Sequence, residues 1–271
     1  MEWDPHFLAR SPMFETLRAH ATAFGAGWPE RADLQRLLDR HTPPVRTSAG
    51  MSLRLAPQGR RSRVLEDRYE ARIYLRGEMA CRERNWHDLL NVLVWLAFPR
   101  AKAALNARHY AALSAQHAAG AANRGPTQDT LTLFDEGGVI VASSDGELLA
   151  CLREWRWKDL FWANRARLAA QVRFRLFGHA LYEKALRPFI GVTGRGILLK
   201  TEPELIAAPL VEQMAALDAK IAEHVSDAGR LVATRELAVV PILGVPGWCS
   251  DNEREAYYDN TDYFRPGRRE P

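Results

Sequence analysis

Three polar side chains interrupt an otherwise apolar run between Trp86 and Phe98: His87, Asp88 and Asn91. Asn91 stands four residues after His87 and three after Asp88, the spacing that lines side chains up along one face of a helix. Histidine changes charge near neutral pH, so His87 is suited to act as a general base or a metal ligand. Asp88 can orient a histidine or supply an oxygen ligand, and Asn91 can orient substrate or a developing negative oxygen. The competing use of the same residues is a satisfied buried polar cluster that fixes helix docking.

A second stripe follows Pro99. Lys102, Asn106 and His109 recur at intervals of four and three in the alanine-rich RAKAALNARHYAAL, a strongly helical composition. If the two helices pack as neighbours about Pro99, their stripes face one cavity. The expected catalytic set is then His87, Asp88, Asn91, Asn106 and His109, with Arg84 and Lys102 placed to meet an anionic small-molecule substrate. His179 and Glu183, four residues apart, can hold one metal ion or join a base to its carboxylate. They fall short of the paired-histidine zinc motif, and an ordinary surface pair is the competing use. Asp129 and Asp135 flank an expected strand and can hold a divalent cation with His87 or His109, although plain turn chemistry accounts for Asp135 and Glu136 at least as well. The candidate metal ligands are therefore His87, His109, His179, Glu183, Asp129 and Asp135, and the candidate cofactor is a divalent metal.

The stretch NWHDLLNVLVWLAFPRAKAALNARH resembles the mainly proteobacterial family designated domain of unknown function 3025 (DUF3025). The likeness continues in RGPTQDTLTLFDEGGVIVA at Arg124 to Ala142, in FGHALYEKAL at Phe177 to Leu186, in VPGW at Val245 to Trp248 and in YFRP at Tyr263 to Pro266. These separated blocks cover nearly the whole chain. The resemblance carries over Asn85, Trp86, His87, Asp88, Asn91, Lys102, Asn106, His109, Asp129, Asp135, His179 and Glu183 as motif positions, and it brings no assigned activity with it. Gln128 stands where that family's pattern has an arginine.

The elements that must position these residues are legible in part. Asn85 is placed to cap a helix that Pro99 ends or bends. Tyr69 to Leu75 alternates and reads as a strand ended by Gly77. Thr130 to Ser143 reads as a hairpin reversing at Asp135-Glu136-Gly137-Gly138. Ser144 with Glu147 resembles a capping box. Asn164 to Leu186 reads as a long helix broken near Gly178, and Leu210, Met214, Leu217, Ile221 and Val225 form the inner stripe of another. Ser52 to Ala56, Ile197 to Leu199, Leu231 to Thr234 and Leu237 to Val240 are short strand candidates. Residues 1–41 read as a helical layer, Gln58 to Arg63 as a basic loop, and residues 249–271 as a tail that wraps the domain and frays beyond Pro266.

With 271 residues, 47% of them hydrophobic and 26% charged, the chain can bury a substantial core without disulfides or metal. Its three cysteines are far apart and odd in number, which gives no zinc-type pair and fits a reducing compartment. The first residues hold no apolar signal core, and the run ending at Phe98 is too short and interrupted to span a membrane, so the cytoplasm is the expected compartment. The net charge of +4 is spread among acids, which permits nucleic acid as a partner without demanding it. GVTGR lacks the lysine-serine ending of a nucleotide-triphosphate loop. Irregular ordering of strands and helices argues against a doubly wound sheet and for a single, mainly helical α+β domain with a small antiparallel sheet or hairpin. The expected function is a hydrolase-like enzyme with a polar cleft between two central helices. The alternative is a nucleic-acid- or protein-binding module without catalytic activity.

Overall fold

A computed structural model describes residues 2–20, 24–59, 64–121 and 123–267. The fold is mainly helical, 55% helix and 12% strand, with small sheets that close no barrel. Two 3-10 stretches (Phe7–Ala9, Pro12–His20) precede α1 (Arg31–Arg40), β1 (Arg54–Ala56), α2 (Tyr69–Arg76), β2 (Glu78–Ala80), α3 (Trp86–Ala97), α4 (Pro99–Ala118), α5 (Pro126–Gly137), β3 (Gly138–Ser143) and α6 (Gly146–Arg153). A π turn (Asp159–Ala163) leads to α7 (Arg165–Gln171), β4 (Val172–Leu176), α8 (His179–Ala185), β5 (Thr193–Lys200), α9 (Pro203–Ala207), α10 (Leu210–Ser226) and β6 (Ala238–Pro241). Among the described residues no helix is long and apolar enough to cross a membrane.

The main sheet has the order β4-β3-β5-β6. Its outer pairs are antiparallel and its central pair, β3 with β5, is parallel, so the sheet is mixed. All six residues of β3 are buried, as expected for a central strand covered on both faces. A smaller parallel pair joins β1 to β2.

Helix α3 is apolar nearly all round and lies in the core from Leu89 to Ala97. Asn85 caps it, its side chain accepting from the Asp88 N–H at 3.0 Å. Pro99 opens α4 at a position where a missing N–H costs nothing. The buried carboxylate of Asp218, on α10, accepts from the N–H groups of Arg100 and Ala101 at 3.1 and 2.8 Å. A carboxylate there meets the positive end of the helix.

Several segments differ from their sequence reading, each for a local reason. Tyr69–Arg76 is a helix and not a strand. Eight residues are too few for the period to decide, and the deciding residue is Gly77. With φ of 68° it is a left-handed helix stop, and a Cβ there would lie 2.2 Å from the Ser52 carbonyl oxygen. The hairpin is instead α5 running straight into β3. Thr130 and Thr132 donate their hydroxyls to the carbonyls of Pro126 and Gln128, both at 2.8 Å, which accommodates residues of strand preference inside a helix. Asp145, not Ser144, caps α6. The long helix from Asn164 is cut by β4, whose residues alternate buried and half-buried. Leu231 to Thr234 is no strand, because the Glu236 carboxylate accepts from the N–H groups of Leu231, Val232 and Ala233. The N-terminal layer is 3-10 helix before α1. Residues 60–63 of the basic loop and 268–271 of the tail lie outside the described residues.

Gly178 couples the sheet to the helix that carries His179. Phe177 and Gly178 both donate N–H to the Gly138 carbonyl at 2.9 Å. A Cβ at Gly178 would fall 2.4 Å from both the Glu136 carbonyl oxygen and the Gly138 nitrogen, so only glycine lets the start of α8 approach the α5–β3 junction this closely.

Candidate functional site

Five helices, α2, α3, α4, α5 and α8, converge on one cavity of about 540 Å³, lined among others by His87, Asn91, His109, Gln128, Asp135 and His179. This volume is in the range of small-molecule sites. Helix α3 carries His87, α8 carries His179 and Glu183, α5 carries Asp135 and α4 carries Lys102; of these, His87, His179 and Asp135 line the cavity.

These five side chains form one line. His87 Nδ1 lies 3.1 Å from Glu183 Oε2. His87 Nε2 lies 2.9 Å from His179 Nε2, with the rings edge to face at 79°. His179 Nδ1 is buried without a hydrogen-bond partner and lies 3.8 Å from Asp135 Oδ2. The other Asp135 oxygen accepts from Lys102 Nζ. Lys102 is 4% exposed, and its ammonium lies 5.6 Å from the Trp95 ring centroid, within reach of a cation–π contact.

Burial pushes the His179 imidazole down to about 4; Lys102 and His87 act in the same direction and Asp135 opposes them. Burial alone would raise the Asp135 carboxyl, but Lys102 and then His179 outweigh it and hold the carboxyl at about 2. At neutral pH the line therefore contains an ionised Asp135 and a neutral His179. The unfolded chain protonates His179 near 6.5, whereas the folded chain does so only near 4. Stability contributed by this residue is complete above pH 6.5 and is lost as pH falls to 4, by about 3 kcal/mol at most. Asp135 adds a further loss below its ordinary value of 3.8. His20, held at about 4 chiefly by burial and then by His41, acts over the same window as His179. Urea unfolding should therefore show stability dropping between pH 7 and 4, and His179→Gln should flatten part of that drop. An unchanged slope in His179→Gln would contradict the assignment.

The other expected site residues are placed as follows. Asp88 does not orient His87; Arg82 grips it through Nε and Nη2, both at 2.8 Å, and through its backbone N–H at 2.7 Å. The carboxylate that contacts the His87 ring is Glu183, on the far side. Asn91 lines the cavity and donates to Tyr69 Oη at 3.0 Å. Asn106 lines a small adjoining hollow and donates to Glu70, at 3.0 Å to its carbonyl and 2.7 Å to its carboxylate. His109 lines both spaces. Asp129 is exposed and is not among the residues lining the cavity. Among the described residues no group of three or more His, Cys, Asp or Glu side chains is arranged to hold a metal ion. The six candidate ligands thus form no such set. Arg84 lines a separate hollow beside Trp28, and Lys102 is committed to Asp135, so neither is the cation that faces this cavity. Arg68, Arg82 and Arg124 face it instead.

Sequence reasoning missed the Lys102–Asp135 pair, the lining residues Tyr69 and Glu70, and the inward-facing Gln128. The Gln128, Leu131 and Phe134 spacing of three, all buried, was the available signal for a helix with Gln128 on its inner face.

Residues 54–268 match the family described as Protein of unknown function (DUF3025), a span that holds every residue of the line. No curated protein and no solved structure matches the chain.

Proposed function

This chain belongs to the DUF3025 family, and we propose that it is a hydrolase-type enzyme in which the His87–His179 pair takes a proton from an attacking water. The observation that carries the reading is the line Glu183–His87–His179–Asp135–Lys102, which meets the cavity at His87, His179 and Asp135. An ionised Glu183 can only accept, so His87 Nδ1 donates to it and His87 Nε2 is left with a lone pair. That lone pair faces a second imidazole nitrogen 2.9 Å away, a separation at which one proton is held between the two atoms. A carboxylate behind each ring favours the positive charge that arises when the pair gains a proton.

In this reading the Nε2–Nε2 hydrogen bond opens, water passes one proton to the freed lone pair of His87 Nε2, and its hydroxide adds to the electrophilic carbon or phosphorus of an ester-type substrate. The bond to the leaving oxygen breaks, and that oxygen recovers the proton from the pair. Glu183 is a positioning residue: it fixes the His87 tautomer and touches no reacting atom.

The test is a hydrolysis screen of the purified chain against chromogenic carboxylic esters, phosphomonoesters and phosphodiesters. One class should turn over, and Glu183→Gln should lower kcat/KM by about 10²- to 10⁴-fold and displace the acid limb of the pH profile. No turnover of any class, or a Glu183→Gln enzyme with normal rate and profile, would overturn the proposal.

A further inference from the structure

The cavity leaves specific groups without partners. Asn91 and Gln128 are each 7% exposed, and the side-chain oxygen of each is buried with no hydrogen bond. Both residues line the cavity. A buried acceptor left unpaired costs free energy that a ligand donor recovers. Asn91 donates to the Tyr69 hydroxyl at 3.0 Å, so that hydroxyl keeps its own proton to donate. Asp88 is paired with Arg82 and Asp135 with Lys102, while Glu70 accepts only from the neutral Asn106 amide. Arg68 and Arg124 make no side-chain hydrogen bond or ion pair among the described residues, so both guanidinium forks are free to donate to a ligand, in a lining that also holds the carboxylates Glu70 and Glu136. Ala80 and Leu113 are the apolar side chains there, too few to receive the side chains of a peptide or an acyl chain.

We infer that the cavity takes an anionic, polyhydroxylated small molecule of carbohydrate type. Hydroxyl groups donate to the Asn91 and Gln128 oxygens, and an arginine fork from Arg68 or Arg124 holds the anionic group. The guanidinium fork matches a phosphate and a carboxylate alike, so sugar phosphates and uronic acids share the required chemistry. This assignment rests on the reading of the histidine pair as the working end of the same cavity.

The test is calorimetric titration of the full chain with glucose 6-phosphate, ribose 5-phosphate, glucuronate and galacturonate. Glucose and inorganic phosphate serve as controls that each carry half of the chemistry. At least one anionic sugar should bind about tenfold or more tighter than either control. Tighter phosphates than uronates, or the reverse, identify the anion. Arg68→Ala with Arg124→Ala should weaken that ligand by about tenfold or more, as should Gln128→Leu; both arginines are exposed, so the fold should survive their loss. If none of the four exceeds both controls, or if the bound sugar is indifferent to the arginine and Gln128 changes, the proposal is wrong. Glu183→Gln separates the two readings: it should lower hydrolysis by about 10²- to 10⁴-fold and leave sugar affinity within about threefold, because Glu183 is not among the residues lining the cavity. A chain that hydrolyses through His87 but prefers no anionic sugar would sink the ligand assignment alone.

Discussion

Replacing His87 with glutamine should lower kcat/KM by about 10²- to 10⁴-fold, the contribution of one positioned acid–base group, and leave the fold intact. The expectation follows from geometry. The His87 side chain is 32% exposed, so its loss removes little packing. Glutamine is of similar reach but holds no dissociable proton at neutral pH, and it cannot join Glu183 to His179 through an aromatic ring. Rate and stability should separate: urea midpoints of the two proteins should agree closely while the rates do not. A variant that keeps more than about a third of normal activity would remove His87 from the chemistry.

Lys102→Met should destabilise the protein by about 3–5 kcal/mol, the usual effect of removing one partner from a buried ion pair. Lys102 and Asp135 side chains are 4% and 15% exposed, so the surviving carboxylate keeps only its small cavity-facing surface for hydration. Methionine fills most of the volume, which isolates the electrostatic effect from a cavity effect. The change should also move His179. Lys102 is among the influences that lower its pKa, and Asp135 is the one that raises it most; without the ammonium the imidazole should protonate at higher pH. Lys102→Met combined with Asp135→Leu should recover much of the stability, because no lone buried charge remains. Urea unfolding of the three proteins decides the matter, and a single variant as stable as the parent would show that the pair carries no such burden.

The His87, Asp88 and Asn91 stripe was legible because one helix carries all three and its period is visible against an apolar background. The mainly helical α+β class was legible for the same reason. The partner of His87 was not. Glu183 lies 96 residues further along the chain, and nothing in sequence distance announces that α8 packs on α3. Asp88 is of a type that can orient a histidine or supply an oxygen ligand, yet as the next residue on the helix it does not face His87; Arg82 holds it instead. The four-residue spacing of His179 and Glu183 puts both on one turn of α8, where each meets His87. The α2 and α5 segments misled through alternation: short stretches satisfy both periods, and the outcome was decided by Gly77 and by threonine hydroxyls that bond back along the helix. The inward Asp135 was masked by glycines that resemble a hairpin turn and in fact mark a helix running into a strand.

The most direct measurement is NMR of the chain carrying ¹⁵N-labelled histidine, read for the proton between the two rings. A slowly exchanging imidazole proton should correlate with Nε2 of both His87 and His179, His87 should carry a proton on Nδ1, and His179→Gln or His87→Gln should abolish the shared resonance. Two imidazoles that titrate independently near their ordinary value, with no proton common to both, would contradict the acid–base pair.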